Sequence, residues 1–342
     1  MGGDYRSYYP KCAYLRGSQS MASDIKARIS VTHGEDLDGL ASQVLIKRHW
    51  EAIGGQNLEF YRESYDTLGD QLENLVSRTW MQAQFCFTDL ALNPKYEGVL
   101  IQLIAGNGGN SVIVYDHHAG TRQIQEDLNE HPPVRAVTGP DETCTTWLVQ
   151  QELFPRNPQA MFLAEEARHS DLQDEGQRDE NRQLSRLISA TAAQDVHDDT
   201  LGMIAGILAQ PNFYRNRWLR KQMAKAQESY NTAMASLVIN REKMSSLWVG
   251  WSVCDQISTG EVAREILHKD PTDIAIGLDS RGKISIKTRN PTISARKIAE
   301  MWGGGGHEDR ASFLWQGEEA FNPYPFMAMN FLPSLRDFLE KA

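Results

Sequence analysis

The segment SVIVYDHHAG, residues 111–120, decides how this chain is read. A run rich in β-branched residues delivers an acid and two histidines, Asp116, His117 and His118, to the point where the next element opens. A short apolar run of this kind marks a strand buried on both faces, as in parallel sheets. Ligands of open parallel α/β sheets collect at the carboxyl ends of the strands. An acid with two histidines at such an end is either a solvated turn or part of a site, and the other strand ends must arbitrate.

Working outward, IKARISVT (25–32) and MQAQFCFT (81–88) read as further strands, and RAV (135–137) as a short fourth. Amphipathic helices are predicted over DGLASQVLIKRHWEAI (38–53) and TCTTWLVQQELF (143–154). Strands alternating with helices imply an α/β fold with a mostly parallel sheet. Residues 160–200 read as helical and polar, with QDEGQRDENRQ (173–183) as a charged loop. A charged helical stretch over 214–246 reads as a connector without strands. Beyond it, LWVGWSV (247–253), TDIAIGL (272–278) and KISIKTR (283–289) are predicted strands, and SARKIAEMW (294–302) a helix that stops at glycines. The expected organisation is an N-terminal arm (1–21), a first α/β domain (22–200), a helical connector (201–246) and a smaller α/β domain (247–342), with a cleft between the two domains.

Bulk properties narrow the class. A chain of 342 residues suggests two domains at about 150 residues each. The excess of 45 acids over 35 bases argues against nucleic-acid binding over a broad surface, although it permits a local phosphate pocket. No apolar run nears the ~18–20 residues that span a bilayer, so no membrane partner is expected. Residues 1–21 lack the apolar core of a secretory signal and read as an arm, or as a stretch before an alternative start at Met21. Cys12, Cys86, Cys144 and Cys254 show no CxxC spacing, which disfavours a thiolate zinc site or a disulfide framework and points to a reduced, cytoplasmic setting.

The other strand ends repeat the pattern of the opening segment. The first ends THGEDLDG, giving His33, Asp36 and Asp38, and the second ends FTDLAL, giving Asp89. Together the three ends gather at least four carboxylates and three imidazoles on one rim. Clustered carboxylates raise each other's pKa, and divalent cations relieve that repulsion. Oxygen and imidazole ligands without thiolate suit Mn²⁺ first, with Mg²⁺, Fe²⁺ or Zn²⁺ as alternatives. The ligands suffice for two ions sharing a carboxylate, roughly 3.5–4 Å apart, an arrangement suited to phosphoester hydrolysis.

THGEDLDGLAS, FTDLAL, VYDHHAG and, near the C-terminus, WGGGGHEDRAS resemble successive motifs of the DHH phosphoesterase family, in the subfamily whose C-terminal domain bears a GGGH loop. The resemblance covers roughly residues 25–315 and is closest to the short nano-RNase or oligoribonuclease type. It implies two divalent cations, most readily Mn²⁺, held by His33, Asp36, Asp38, Asp89 and His117. In this mapping Asp89 bridges the ions and His118 contacts the phosphate. Asp116 stands behind the histidines, orienting one of them. A fourth acid comes from ARHSDLQD, as Asp171 first and Asp174 second. Glu35 competes with Asp36 for the first acid's place, and Asp36 keeps the D-x-D-G spacing. Gly304, Gly305 and Gly306 of the glycine loop, with His307 and Arg310, resemble the family's substrate-gripping residues.

The implied reaction cuts short oligoribonucleotides to mononucleotides, and family habit suggests a homodimer. A cyclic (di)nucleotide or 3′-phosphoadenosine 5′-phosphate would be a rival substrate of the same site. A non-catalytic RNA-binding or regulatory module is the rival of another class. Arg289, at a predicted strand end, is a candidate second phosphate or base contact. The basic run RNRWLRKQMAK (215–225) reads as a solvated helix face, and His49, His131, His197 and His268 as structural or exposed.

Overall fold

Near-continuous apolar runs at β1 (Ala27–His33), β3 (Ala83–Thr88), β4 (Ser111–Asp116) and β5 (Val134–Thr138) form strands, joined by β2 (Leu58–Glu63), which alternates too weakly to stand out in the sequence. In the computed structural model these five pair in parallel, in the order β2-β1-β3-β4-β5. The structure describes residues 25–65, 67–105, 108–140, 142–172, 177–194, 199–315, 317 and 321–341. The expected N-terminal arm, Asp174, His197 and most of the predicted charged loop's first half lie outside them.

Helices cover both faces of this sheet, which is why its strands are apolar throughout. Ile29, Val31, Phe85, Phe87, Val112 and Val114 pack under α2 (Leu68–Ser77), α3 (Pro94–Ala105) and α4 (Ala119–Asn129). Cys86 and Tyr115 turn the other way, toward α1 (Leu37–Ala52), α5 (Thr145–Leu153), α6 (Pro158–Leu172) and α7 (Asp179–Gln194). The entry into α1 shows why the sequence reads D-x-D-G. Asp36 is extended, and its Oδ1 accepts the Gly39 N–H at 2.9 Å, capping the helix. A Cβ on Gly39 would lie 2.0 Å from the His33 carbonyl oxygen, so only glycine lets α1 start this close to β1.

The expected connector is largely absorbed by the two domains. Leu201 and Ile204 of α8 (Thr200–Leu208), with Leu219 and Met223 of α9 (Arg217–Ser236), are buried in the first domain's core. Their helical spacing makes an apolar stripe that the surrounding charge obscures in sequence. The stretch after α9 is a strand, β6 (Asn240–Met244), at the edge of a second sheet. Its sequence, NREKM, has the charge typical of an exposed edge, and so reads as helix.

That second sheet contains β7 (Leu247–Val253), β8 (Ile274–Leu278), β9 (Lys283–Thr288), β10 (Gly305–Gly306) and β11 (Arg310–Leu314), in the order β10-β11-β9-β8-β7-β6. Only β7 and β8 run parallel, linked by α10 (Thr259–Lys269). Ile274, Ile276, Ile284, Ile286 and Phe313 form its core with α11 (Ala295–Glu300), α12 (Pro323–Phe326) and α13 (Leu332–Lys341). No helix among the described residues is long and apolar enough to cross a membrane.

Candidate metal centre and substrate cleft

The ends of β1, β3 and β4, the first turn of α1 and the last turn of α6 meet at one rim. His117 is completely buried there. Its Nε2 lies 3.5 Å from Asp89 Oδ1, 3.8 Å from Asp38 Oδ2 and 3.8 Å from Asp171 Oδ2. His33 Nε2 faces Asp36 Oδ2 at 3.4 Å. Among the described residues, both ring nitrogens of His117 and Oδ2 of Asp171 are buried without a hydrogen-bond partner. A buried polar atom in that condition costs about 1–3 kcal/mol.

The electrostatics are equally unbalanced. Burial, followed by the charges of Asp38 and Asp36, pushes the Asp89 carboxyl well above the carboxylate range. Burial also raises Asp36, with Asp38 adding to the effect against the opposing pull of His33. Asp89 itself has φ +62°, a left-handed conformation that costs a non-glycine residue energy and recurs at functional sites. Close-set oxygen and imidazole donors, some of them orphaned and the carboxylates mutually repelling, fit a divalent cation. Asp38, Asp89 and His117 offer ligand atoms all within 4.8 Å of one another.

Two residues are oriented by distant parts of the chain. The Asp38 carboxylate accepts the backbone N–H groups of Thr145 and Thr146, at 2.7 and 2.8 Å, and so sits at the positive end of the α5 dipole. Thr145 Oγ1 donates to Asp89 Oδ1 at 3.1 Å. Asp116 is wholly engaged: Oδ1 accepts the His118 N–H at 3.0 Å and faces His118 Nδ1 at 2.7 Å, while Oδ2 accepts the Thr121 hydroxyl at 2.5 Å. Burial opposes ionisation of Asp116, yet His118, His117 and Thr121 hold it well below the usual range. Burial lowers the His118 pKa, but Asp116 outweighs it and leaves the imidazole above its ordinary value.

The second domain closes over this rim and leaves a cleft of ≈ 520 Å³. Gly304, Gly305, Gly306, His307 and Arg310 line it. The His307 ring lies 5.4 Å from that of His117 and 5.2 Å from that of His118, centroid to centroid. Burial, Arg310 and the two facing histidines push His307 down to about 2, so it is neutral at physiological pH. Arg310 reaches Asp171 Oδ2 at 3.5 Å. Both acids left open by the sequence face His33 Nε2, Asp36 Oδ2 at 3.4 Å and Glu35 Oε2 at 4.0 Å, and the Glu35 carboxylate also pairs across the cleft with Lys283.

Arg289 departs from expectation. Its guanidinium donates to the Leu267 carbonyl, and it does not line the cleft. It follows the last residue of β9, where the chain turns away to bond Asp273 through the Arg289 N–H at 3.0 Å. Arg289→Ala is therefore expected to leave kcat/KM within about twofold, since surface changes remote from special contacts have small effects.

The glycines divide into two roles. A Cβ on Gly304 would lie 2.2 Å from the Ser312 carbonyl oxygen, and one on Gly306 2.6 Å from Ala311 Cα, so these two permit the close packing of β11. A Cβ on Gly305 would meet nothing within 4 Å. Gly304→Ala should lower stability by roughly 1–3 kcal/mol, as overpacking does. Gly305→Ala should melt like the parent yet raise KM, because the methyl intrudes on the cleft wall. Thermal melts alongside steady-state kinetics check both.

The sequence reading passed over three groups of cleft residues. Tyr65, just beyond β2, stacks on His33 with centroids 4.6 Å apart. Lys283, Ser285 and Lys287 point from alternate positions of β9 into the cleft, a signal present in K-I-S-I-K. Burial, then Arg310 and Arg264, lowers the Lys287 ammonium to about 8. Arg182, Ser185, Arg186 and Ser189 form an i, i+3, i+4, i+7 stripe on α7 that faces the same space.

The architecture, a five-stranded parallel sheet carrying an acid and histidine rim beside a mixed sheet with a glycine loop, is similar in fold to several solved structures. A manganese-bound RecJ from Thermus thermophilus superposes with TM-score 0.59 at 16% identity, covering 94% of this chain and 54% of its own. A manganese-bound exonuclease RecJ gives TM-score 0.55 at 17% identity, over 96% of this chain and 94% of its own. PggH, a pGpG-specific phosphodiesterase from Vibrio cholerae, gives 0.51 at 13% identity, over 92% and 99%. No protein-family profile and no curated protein matches the sequence.

Proposed function

We propose that this chain is a phosphodiesterase, dependent on two divalent cations with Mn²⁺ foremost, that hydrolyses short oligoribonucleotides to mononucleotides. One observation carries the reading. Six potential ligands, His33, Asp36, Asp38, Asp89, His117 and Asp171, converge from four separate segments on one rim with orphaned donor atoms. A binding module has no use for so costly an arrangement. The folds it shares include a RecJ bound to manganese and a pGpG-specific phosphodiesterase.

The six residues would hold the cations, which when bound acidify water and neutralise charge on phosphoryl oxygens. His118, its Nδ1 held by Asp116, is placed to donate to a phosphoryl oxygen and stabilise its developing negative charge. Arg310 and the neutral His307 grip the substrate from the opposite wall. The Lys283–Ser285–Lys287 face of β9 offers charge and a hydroxyl to a neighbouring phosphate. A cleft of ≈ 520 Å³, with walls from both domains, suits a ligand of few nucleotides.

Turnover of a panel tests this reading: a linear pApA-type dinucleotide, 5-mers, cyclic dinucleotides and 3′-phosphoadenosine 5′-phosphate, each with Mn²⁺ and with chelator. Linear RNA of two to five residues should be cleaved fastest, and chelation should abolish the activity. A tenfold preference for a cyclic substrate or the bisphosphorylated adenosine would reassign the substrate. Inertness toward every phosphoester with Mn²⁺ present would favour the non-catalytic module.

A further inference from the structure

An imidazole that binds a metal is ordinarily held by its second nitrogen, which donates to a carboxylate or carbonyl. His33 has no such anchor. Among the described residues its Nδ1 is buried without a hydrogen-bond partner, and its Nε2 is the nitrogen that faces Asp36, at 3.4 Å. Something else must set the ring's orientation. The Tyr65 ring lies flat against it, with centroids 4.6 Å apart and planes inclined by 20°.

The turn that carries Tyr65 is itself fixed to the strand that carries His33. Glu63, the last residue of β2, is the register partner of His33, and its carbonyl accepts the Gly34 N–H at 2.9 Å. The buried Glu63 carboxylate accepts the Thr67 hydroxyl at 2.6 Å, and that hydroxyl oxygen accepts the Ser64 N–H at 3.1 Å. Leu68 N–H closes the turn on the Ser64 carbonyl at 3.0 Å. Tyr65 is thus presented to His33 by a braced turn, with its remaining surface on the cleft.

We propose that Tyr65 is the positioning residue of His33, its ring doing by stacking what a hydrogen bond to the second imidazole nitrogen does elsewhere. The role rests on reading His33 as a metal ligand. It belongs to the aromatic face, so phenylalanine should replace tyrosine and an aliphatic side chain should not.

Calorimetric titration of the metal-stripped protein with Mn²⁺ tests it, alongside kcat and KM on the best linear substrate. Tyr65→Phe should bind Mn²⁺ within about twofold of wild type. Tyr65→Ala should bind about 10–100-fold more weakly, the usual cost of losing a residue that orients a ligand. Its kcat should recover at saturating Mn²⁺, and its KM for substrate should stay near the parent value. Wild-type Mn²⁺ affinity in Tyr65→Ala would overturn the proposal, as would a phenylalanine variant as weak as the alanine one. A raised KM at unchanged Mn²⁺ affinity would also overturn it and make Tyr65 a substrate contact. Should the alanine variant fail to fold, Tyr65→Leu carries the same comparison, weakened Mn²⁺ binding supporting the role and parental affinity overturning it. A wild-type protein that binds no Mn²⁺ would instead remove the metal-site reading itself.

Discussion

Asp89→Asn is expected to abolish hydrolysis and, at the same time, to raise the melting temperature of the metal-stripped protein. The two effects have one cause. Asp89 is buried among Asp38, Asp36, Asp116 and Asp171, and these neighbours together with burial drive its pKa upward. An acid whose folded pKa exceeds its unfolded value destabilises the fold once pH rises above the unfolded value. Removing that charge relieves the penalty at neutral pH, for about 2–4 °C per kcal/mol gained in a domain of this size. The catalytic loss follows from the same position. Asp89 is the acid closest to His117 and also lies 3.7 Å from His118 Nδ1, so it is central to any cation held here. If its contribution is several kcal/mol, kcat/KM falls by about a thousandfold. Melting with and without Mn²⁺, with kinetics on a linear dinucleotide, tests the pair. A variant that is active, or less stable without metal, would contradict this account of the rim.

His118→Ala should lower kcat by about 10²–10³-fold, the range seen on removing one donor to a developing oxyanion. Its counterpart is Asp116→Asn, which leaves the imidazole in place and alters its proton affinity. Asp116 outweighs burial in raising the His118 pKa, so the imidazolium persists to higher pH than in a free histidine. A raised base carries its charge below the raised pKa and loses it as pH climbs through that value. In Asp116→Asn the pKa falls, so the alkaline limb of kcat/KM assigned to His118 should move to lower pH. The alanine variant should lack that limb. A limb that stays in place in both variants would mean that His118 does not act as a cation.

The rim was legible because its parts are local. Strand periodicity ends on each acid or histidine, and the D-x-D-G and D-H-H spacings require no knowledge of distant contacts. Nothing local marks Asp171, because its place at the rim depends on how α6 lies across the sheet. Tyr65 was invisible for a similar reason: it follows a strand with only a weak apolar pattern, and its contact with His33 comes from β2 pairing beside β1. Arg289 misled because a strand end looks alike whether it opens on a cleft or turns back, as here, toward the Leu267 carbonyl.

The sequence by itself determined the class of fold, the three strand ends that carry acids and histidines, and the glycine loop, since each is written in spacing and periodicity over a few residues. Tertiary structure decided what crosses between segments. It set Asp38 on the N-terminus of α5, more than a hundred residues downstream, and paired Glu35 with Lys283 across the cleft. It also brought His307 over the histidine pair and Tyr65 flat against His33. Hydrogen bonds, ion pairs and ring contacts act over a few ångströms, and only the packing of two domains and the register of the strands bring such groups within range.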